Sequence, residues 1–325
     1  MPACHARASK RFPVRQAAQL SQSRFFTLLF LPLLVVFALW AASPARAEAT
    51  AKPAPNPALW QLTDEDSQIW LFGTVHILNP ALKWRTNTID TAFAQAGTYY
   101  SEAPVVQATA QMMQPLIMKH GVNHSGVPFT ERLSAQGLAD FKTIIAALGM
   151  PQGAMKQFTA YRPWLAGVSL GALQVQARGG DPEAGVDKIL WHEAVENGKT
   201  LGYFETMEQQ ISLFGAMEPD EELKFLEDGL RQMIEQPDLL DDITLDWQAG
   251  RTEVLAHKLN GAMEGQESLR ERLLVARNRD WAMKIQELMN GEGTVFIAVG
   301  AGHLAGEGSV QDQLEGLGFT VTRVQ

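Results

Sequence analysis

The chain is 325 residues long and acidic, with 36 Asp and Glu against 27 Lys and Arg, and it holds one cysteine, Cys4. A surface of that sign repels phosphate backbones and anionic lipid, so no nucleic-acid partner is expected. One cysteine cannot form an internal disulfide, and the length is ample for one large α/β core.

Residues 1–47 read as an export signal. Arg7, Lys10, Arg11, Arg15 and Arg24 precede an apolar run from Phe25 to Ala42, and Ala45-Arg46-Ala47 has the small-x-small form of a cleavage site. The alternative is an uncleaved anchor, because the run approaches spanning length. Pro32 and the alanine pair favour cleavage after Ala47 and a periplasmic location, with membrane contact only through an uncleaved signal. Cleavage removes six basic residues and no acidic one, leaving 21 basic against 36 acidic side chains, a charge of −15, and no cysteine. Residues 48–57 form a Pro/Ala-rich linker, and 58–325 a domain in which 105–180 are a mainly helical insertion.

Within the domain, Leu59–Leu62 and Gln68–Val75 are spaced as a hairpin. The second run is apolar nearly throughout, as a strand buried on both faces should be, and it ends in Gly73-Thr74-Val75-His76. Thr86 can cap a helix with Ile89, Ala92, Phe93 and Ala96 on one face. A short strand Thr98–Ser101 runs into Glu102. Helical spacing then dominates to about residue 180, rich in methionine that reads as plastic packing rather than a cofactor site. Gly185-Val186-Asp187 opens a further helix, and the strand Lys199–Phe204 runs into Glu205. The acidic run Asp238, Asp241, Asp242, Asp246 lacks calcium-loop spacing and reads as a solvated face. The helix over 267–290 has an apolar stripe (Leu274, Trp281, Ile285, Leu288) on which Asn278 lies and which Arg277 borders, so both need buried partners. Strand 294–299 ends in Gly300-Ala301-Gly302-His303, and a last strand spans Phe319–Val324.

Four strand ends therefore deliver His76, Glu102, Glu205 and His303. Helices between the strands make parallel crossovers the natural connection, and ligands gather at the carboxyl ends of such strands. The expected fold is α/β (α+β): a mixed, largely parallel central sheet with surrounding helices. Two imidazoles with a carboxylate are a donor set for a borderline divalent metal such as Mn²⁺, Co²⁺ or Zn²⁺, with another carboxylate as base and Arg277 as partner of a carboxylate or of an oxyanion. Each residue also has a plain structural reading: a hydrogen-bonded histidine, a capping glutamate, buried glue for Arg277 and Asn278. His120, His124, His192 and His257 have no repeated setting and read as surface residues.

Taken together, Gly73-Thr-Val-His76, Ser101-Glu102, Gly185-Val-Asp187, Gly202-Tyr-Phe-Glu205-Thr with Gln209, Arg277-Asn-Arg-Asp-Trp281 and Val299-Gly-Ala-Gly-His303-Leu resemble the TraB/GumN family over about Leu59 to Val324. Tyr203-Phe204 stands where many relatives carry an aliphatic-Leu pair. The resemblance implies a fold similar to erythromycin-esterase and haem-binding ChaN-like proteins, with the site at a sheet edge. The family includes the animal TIKI metalloproteases and bacterial proteins that shut down peptide pheromones. It implies a metal-dependent hydrolase of the peptidase type, acting on a peptide or protein of the cell envelope. Metal would be held by His76, Glu102 and His303, with Glu205, Arg277 and Asn278 serving catalysis. The alternatives are a non-catalytic peptide or envelope-factor binding protein, or an iron or haem binder. Amino-terminal sequencing of the exported protein should read from Glu48; a mature chain that retains Phe25–Ala42 overturns the cleavage expectation.

Overall fold

A computed structural model describes residues 54–325, so the expected signal and most of the linker lie outside the described residues. The last linker residues do not stand free: Pro57 is buried and the Asn56 N–H donates to Gln248 O at 2.8 Å.

β1 (Leu59–Thr63) and β2 (Ser67–Thr74) form the expected antiparallel hairpin, its turn fixed by Asp64 Oδ1 accepting from the Ser67 N–H at 2.7 Å. β3 (Thr98–Ser101), β4 (Thr200–Tyr203), β5 (Gly293–Gly300) and β6 (Thr322–Arg323) complete one sheet of order β4-β3-β5-β2-β1-β6. β2, β5, β3 and β4 are mutually parallel, whereas β1 and β6 run antiparallel at one edge. The final strand is shorter than its apolar pattern predicts. Phe319 and Val321 pack against the core, Thr322 and Arg323 pair with β1, and the Val324 N–H donates to Leu59 O at 2.9 Å.

The helices are α1 (Asn87–Gln95), α2 (Ala110–His120), α3 (Ala135–Ala147), α4 (Met155–Phe158), α5 (Pro163–Ala177), α6 (Val186–Glu196) and α7 (Met207–Gly215). There follow α8 (Pro219–Glu235), α9 (Leu239–Gln248), α10 (Thr252–Ala262), α11 (Glu267–Arg270), α12 (Ala276–Met289) and α13 (Val310–Gly316). Thr86 caps α1 as its sequence predicts, Oγ1 accepting from the Ile89 N–H at 3.3 Å.

Alternation along the central strands divides the core. Trp70, Phe72, Phe296 and Ala298 face α1 and α6. Ile69, Leu71, Ile297 and Val299 face α12 and α13. Both faces are covered, which is why these strands read as continuous apolar runs. The helices of the insertion, with α8, close a further cluster around Phe141, Phe158, Leu170 and Leu226.

The acidic run differs from its sequence reading. Asp246 is buried, because the α9–α10 turn folds Arg251 and Lys258 onto it at 2.6 and 2.8 Å; Asp238 and Asp241 pair with Arg178. His120 is likewise only 15% exposed and lies 3.5 Å from Glu208, whereas His124, His192 and His257 are exposed.

Beyond β2 the chain meets the start of α6 backbone to backbone. The Val186 N–H donates to Val75 O at 2.8 Å, and a Cβ on Gly185 would sit 2.3 Å from His76 O. Gly185 is required here by that approach, its φ of −55° being open to any residue. Gly185→Ala is expected to destabilise the fold by about 1–3 kcal/mol, as overpacking against an immovable carbonyl does. Gly97→Ala meets no atom within 4 Å and should be neutral or stabilise by up to ~1 kcal/mol. Urea midpoints of the two variants test this, and equal values would refute the close-approach account.

Candidate functional site

The parallel register brings the four strand ends to one edge. β2 and β5 pair through Thr74 and Gly300, β3 lies beside β5, and the Glu205 N–H donates to Glu102 O at 2.8 Å, so β3 and β4 stay hydrogen-bonded past their ends. His76, Glu102, Glu205 and His303 accordingly meet. Arg277 reaches them from α12, and Asn278 stands behind His303.

Arg277 is buried at the centre and spends all five N–H donors. Nε and Nη2 hold Glu205 as a fork, at 2.7 Å to Oε1 and 3.0 Å to Oε2. Nη2 also donates to Glu102 Oε2 at 2.7 Å, and Nη1 reaches Leu273 O and His303 Nε2, each at 3.0 Å. The guanidinium lies over the Trp281 ring at 4.6 Å, and the Trp281 N–H donates to Glu205 Oε1 at 2.9 Å. Leu273 belongs to a π-helical turn, Glu271–Val275, that leads into α12. Such turns recur at functional sites.

The histidines are fixed by their outer partners. Asn278 Nδ2 donates to Gly308 O at 2.7 Å, so its Oδ1 faces His303 Nδ1 at 2.6 Å and that nitrogen carries the proton. Nε2 is then the acceptor for Arg277. Burial and the adjacent guanidinium hold the His303 pKa down to about 3. His76 Nδ1 lies 3.1 Å from Asp187 Oδ1, a close ion pair not aligned as a hydrogen bond. Burial alone would lower the His76 pKa, but Asp187 outweighs it and raises the value to about 9. Against its burial, Glu102 is held at about 2 by Arg277, the two histidines and the Gly300 N–H, which donates to Oε1 at 2.7 Å. Gln210 from α7 donates to its Oε2 at 2.9 Å.

Gly300 leaves the space these groups share. A Cβ there would lie 3.1 Å from Glu102 Oε1, 3.7 Å from His303 Cδ2 and 3.8 Å from His76 Nε2. A cleft of about 410 Å³ opens over this floor, within the range of small-ligand pockets, and Leu240, Ile243, Leu255, Leu259, Leu273 and Leu274 supply its apolar walls. His76 is 13% exposed and His303 5%, so His76 is the imidazole nearer to solvent.

As a metal set, the donors suit a borderline divalent ion, and His303 Nδ1 is held by Asn278 Oδ1 in the way metal-ligating histidines are usually oriented, with Asp187 as the oxygen beside His76 Nδ1. Among the described residues, however, no three His, Cys, Asp or Glu side chains already stand so as to hold an ion. Arg277 is the resident cation and covers the His303 Nε2 lone pair. The residue types and the Gly300 cradle fit a metal; binding one through His303 requires the guanidinium to yield that nitrogen.

Four residues that border the site have no role assigned from the sequence. Thr74, Asp187 and Trp281 stand there only within motifs or the apolar stripe and Gln210 in neither, because Asp187 lies in a first helical turn and Gln210 and Trp281 on ordinary helix faces. The Arg277-Asn278 pair on an apolar stripe was the residue pattern that pointed behind the strand ends.

Arg277→Met leaves two buried carboxylates without their cation and should cost about 3–5 kcal/mol. Arg277→Lys keeps the charge with three donors in place of a planar fork and should recover part of that loss. Chemical denaturation of both variants checks this; a neutral Arg277→Met would show that the cluster contributes nothing to folding.

The family model described as TraB/PrgY/gumN matches residues 58–323. The chain is 28% identical over 208 residues to the uncharacterized YbaP of Escherichia coli (strain K12), covering 61% of this chain and 76% of that protein, and equally to YbaP of Shigella flexneri. No solved structure matches it. With the model spanning essentially every described residue and its ordered motifs meeting at one sheet edge, the chain belongs to the TraB/PrgY/gumN family.

Proposed function

We propose that this chain is a metal-dependent hydrolase of the cell envelope that cleaves an amide bond in a peptide substrate. The observation that carries the reading is the convergence of His76 Nε2, Glu102 Oε1 and His303 on the space left by Gly300, at the floor of an apolar cleft. His76, Glu102 and His303 would hold the ion. A bound Mn²⁺, Co²⁺ or Zn²⁺ supplies Lewis acidity and a water of lowered pKa.

The remaining residues have separate tasks. Asn278 fixes the His303 tautomer with Nε2 bare, and Asp187 orients His76. Glu205 has both oxygens engaged by Arg277 and Trp281, so it serves by anchoring the arginine rather than by taking a proton. Arg277, once freed from His303, has Nη1 available toward negative charge developing at the floor. The aliphatic walls receive an apolar stretch of the substrate and exclude water from the bond to be cut.

The alternative, a protein that sequesters its peptide, has one observation in its favour: Arg277 already neutralises the floor, which is complete without an ion. Elemental analysis and peptidase assay separate the two. Protein purified without chelator should carry about one equivalent of metal, lost in folded His76→Ala and His303→Ala, and chelation should abolish peptide cleavage. Peptide binding retained by metal-free protein, with no cleavage on adding Mn²⁺ or Co²⁺, would establish the sequestering reading instead.

A further inference from the structure

Behind the floor lies a second, smaller chamber of about 30 Å³. It shares Thr74, His76 and Glu102 with the main cleft, so the side chains that face the substrate on one side form its wall on the other. Asp187 and Gln210 line it from α6 and α7. On residues of its lining, Thr74 Oγ1 and Gln210 Oε1 are buried without a hydrogen-bond partner, and His76 Nδ1 and Asp187 Oδ1 have only each other, as an ion pair at 3.1 Å. Leaving even one such atom unpaired costs about 1–3 kcal/mol, so polar atoms this poorly paired around one chamber call for a shared ligand.

Their chemistry identifies it. Gln210 Nε2 donates to Glu102, which fixes the amide so that Oε1 remains the acceptor. Asp187 Oδ1 is a second acceptor. The Thr74 hydroxyl can donate or accept, and His76 Nδ1, beside the Asp187 carboxylate, is a donor. That mix of donors and acceptors complements a tetrahedral water. One water needs roughly 10–15 Å³ and two to four polar partners, and the chamber meets both conditions.

We infer that the chamber is a built water site, and that its water joins the outer partners of His76 and Glu102 into one network. Asp187 meets His76 at an angle too poor for a hydrogen bond, and Gln210 steadies Glu102 with its amide nitrogen alone. A water accepting from Thr74 and His76 and donating to Asp187 and Gln210 completes both attachments and couples β2 to α6 and α7. Thr74 and Gln210 are thus positioning residues that act through His76 and Glu102. This positioning role rests on the metal reading above; the water site does not.

A crystal structure of the metal-free protein at roughly 1.5 Å resolution should show an ordered water within about 3.2 Å of at least three of the four atoms. No density in the chamber, or an ion at coordination distances, overturns the water assignment. Thr74→Val, which keeps the β-branch and removes the hydroxyl, should lose the water and weaken Mn²⁺ or Zn²⁺ binding by about tenfold, the usual effect of an outer-shell loss, while Thr74→Ser restores both. Unchanged affinity in Thr74→Val overturns the positioning role. If the wild-type protein binds neither ion, the metal reading fails and the crystallographic result still decides the water.

Discussion

The five-donor guanidinium of Arg277 is the constraint on which the site depends. Two buried glutamates at adjacent strand ends repel each other, and in a water-poor floor that repulsion is large. Arg277 offsets it with a forked bond to Glu205 and a single one to Glu102, and its last donors go to a carbonyl of its own helix and to His303. Trp281 covers the guanidinium and bonds Glu205 from the same helix. Such a cluster gains little over apolar packing, but removing one member leaves charge stranded. Its value lies in geometry: it draws α12, β3 and β4 together at one point.

That geometry divides the two histidines. His303 lies beside the cation, loses its proton easily and turns an unprotonated Nε2 to Arg277, whereas His76 stands beside Asp187 and keeps its proton. Burial favours the neutral form of both imidazoles; Arg277 adds to that at His303, whereas Asp187 outweighs it at His76. If His76 and His303 held a metal, as proposed, the division would end: His303 would give up Arg277 and His76 the proton on its ligating nitrogen.

The walls of the cleft are tied to this floor. α9 supplies Leu240 and Ile243 to the cleft and anchors to the end of β2 through Trp247, whose N–H donates to Gly73 O at 2.8 Å. α7 begins directly after Glu205 in a reciprocal Thr206–Gln209 cap, which starts the helix where it delivers Gln210 to Glu102. The apolar walls and the polar floor thus share their attachments.

Much of this was legible in the chain. Uninterrupted apolar runs marked β2 and β5 as strands covered on both faces, glycine followed each, and an ionisable residue stood at the end of each of four strands. An arginine and an asparagine intruding on an apolar helical stripe announced that something polar lay opposite, because such groups are not buried without partners. What the sequence could not supply was adjacency. That β5 lies between β2 and β3, that Arg277 fills the space among the strand ends, and that Asp187, Gln210 and Thr74 surround a common chamber all follow from how distant elements stack. Asp246 makes the same point: acidic in a run of acids, it is buried because Arg251 and Lys258 fold onto it. Local pattern determined which residues end strands and which faces are apolar, since burial imposes a periodicity on each element separately. Charge states, tautomers and the shared cavities were decided by the tertiary structure alone, because they depend on neighbours from 25 to 175 residues away along the chain.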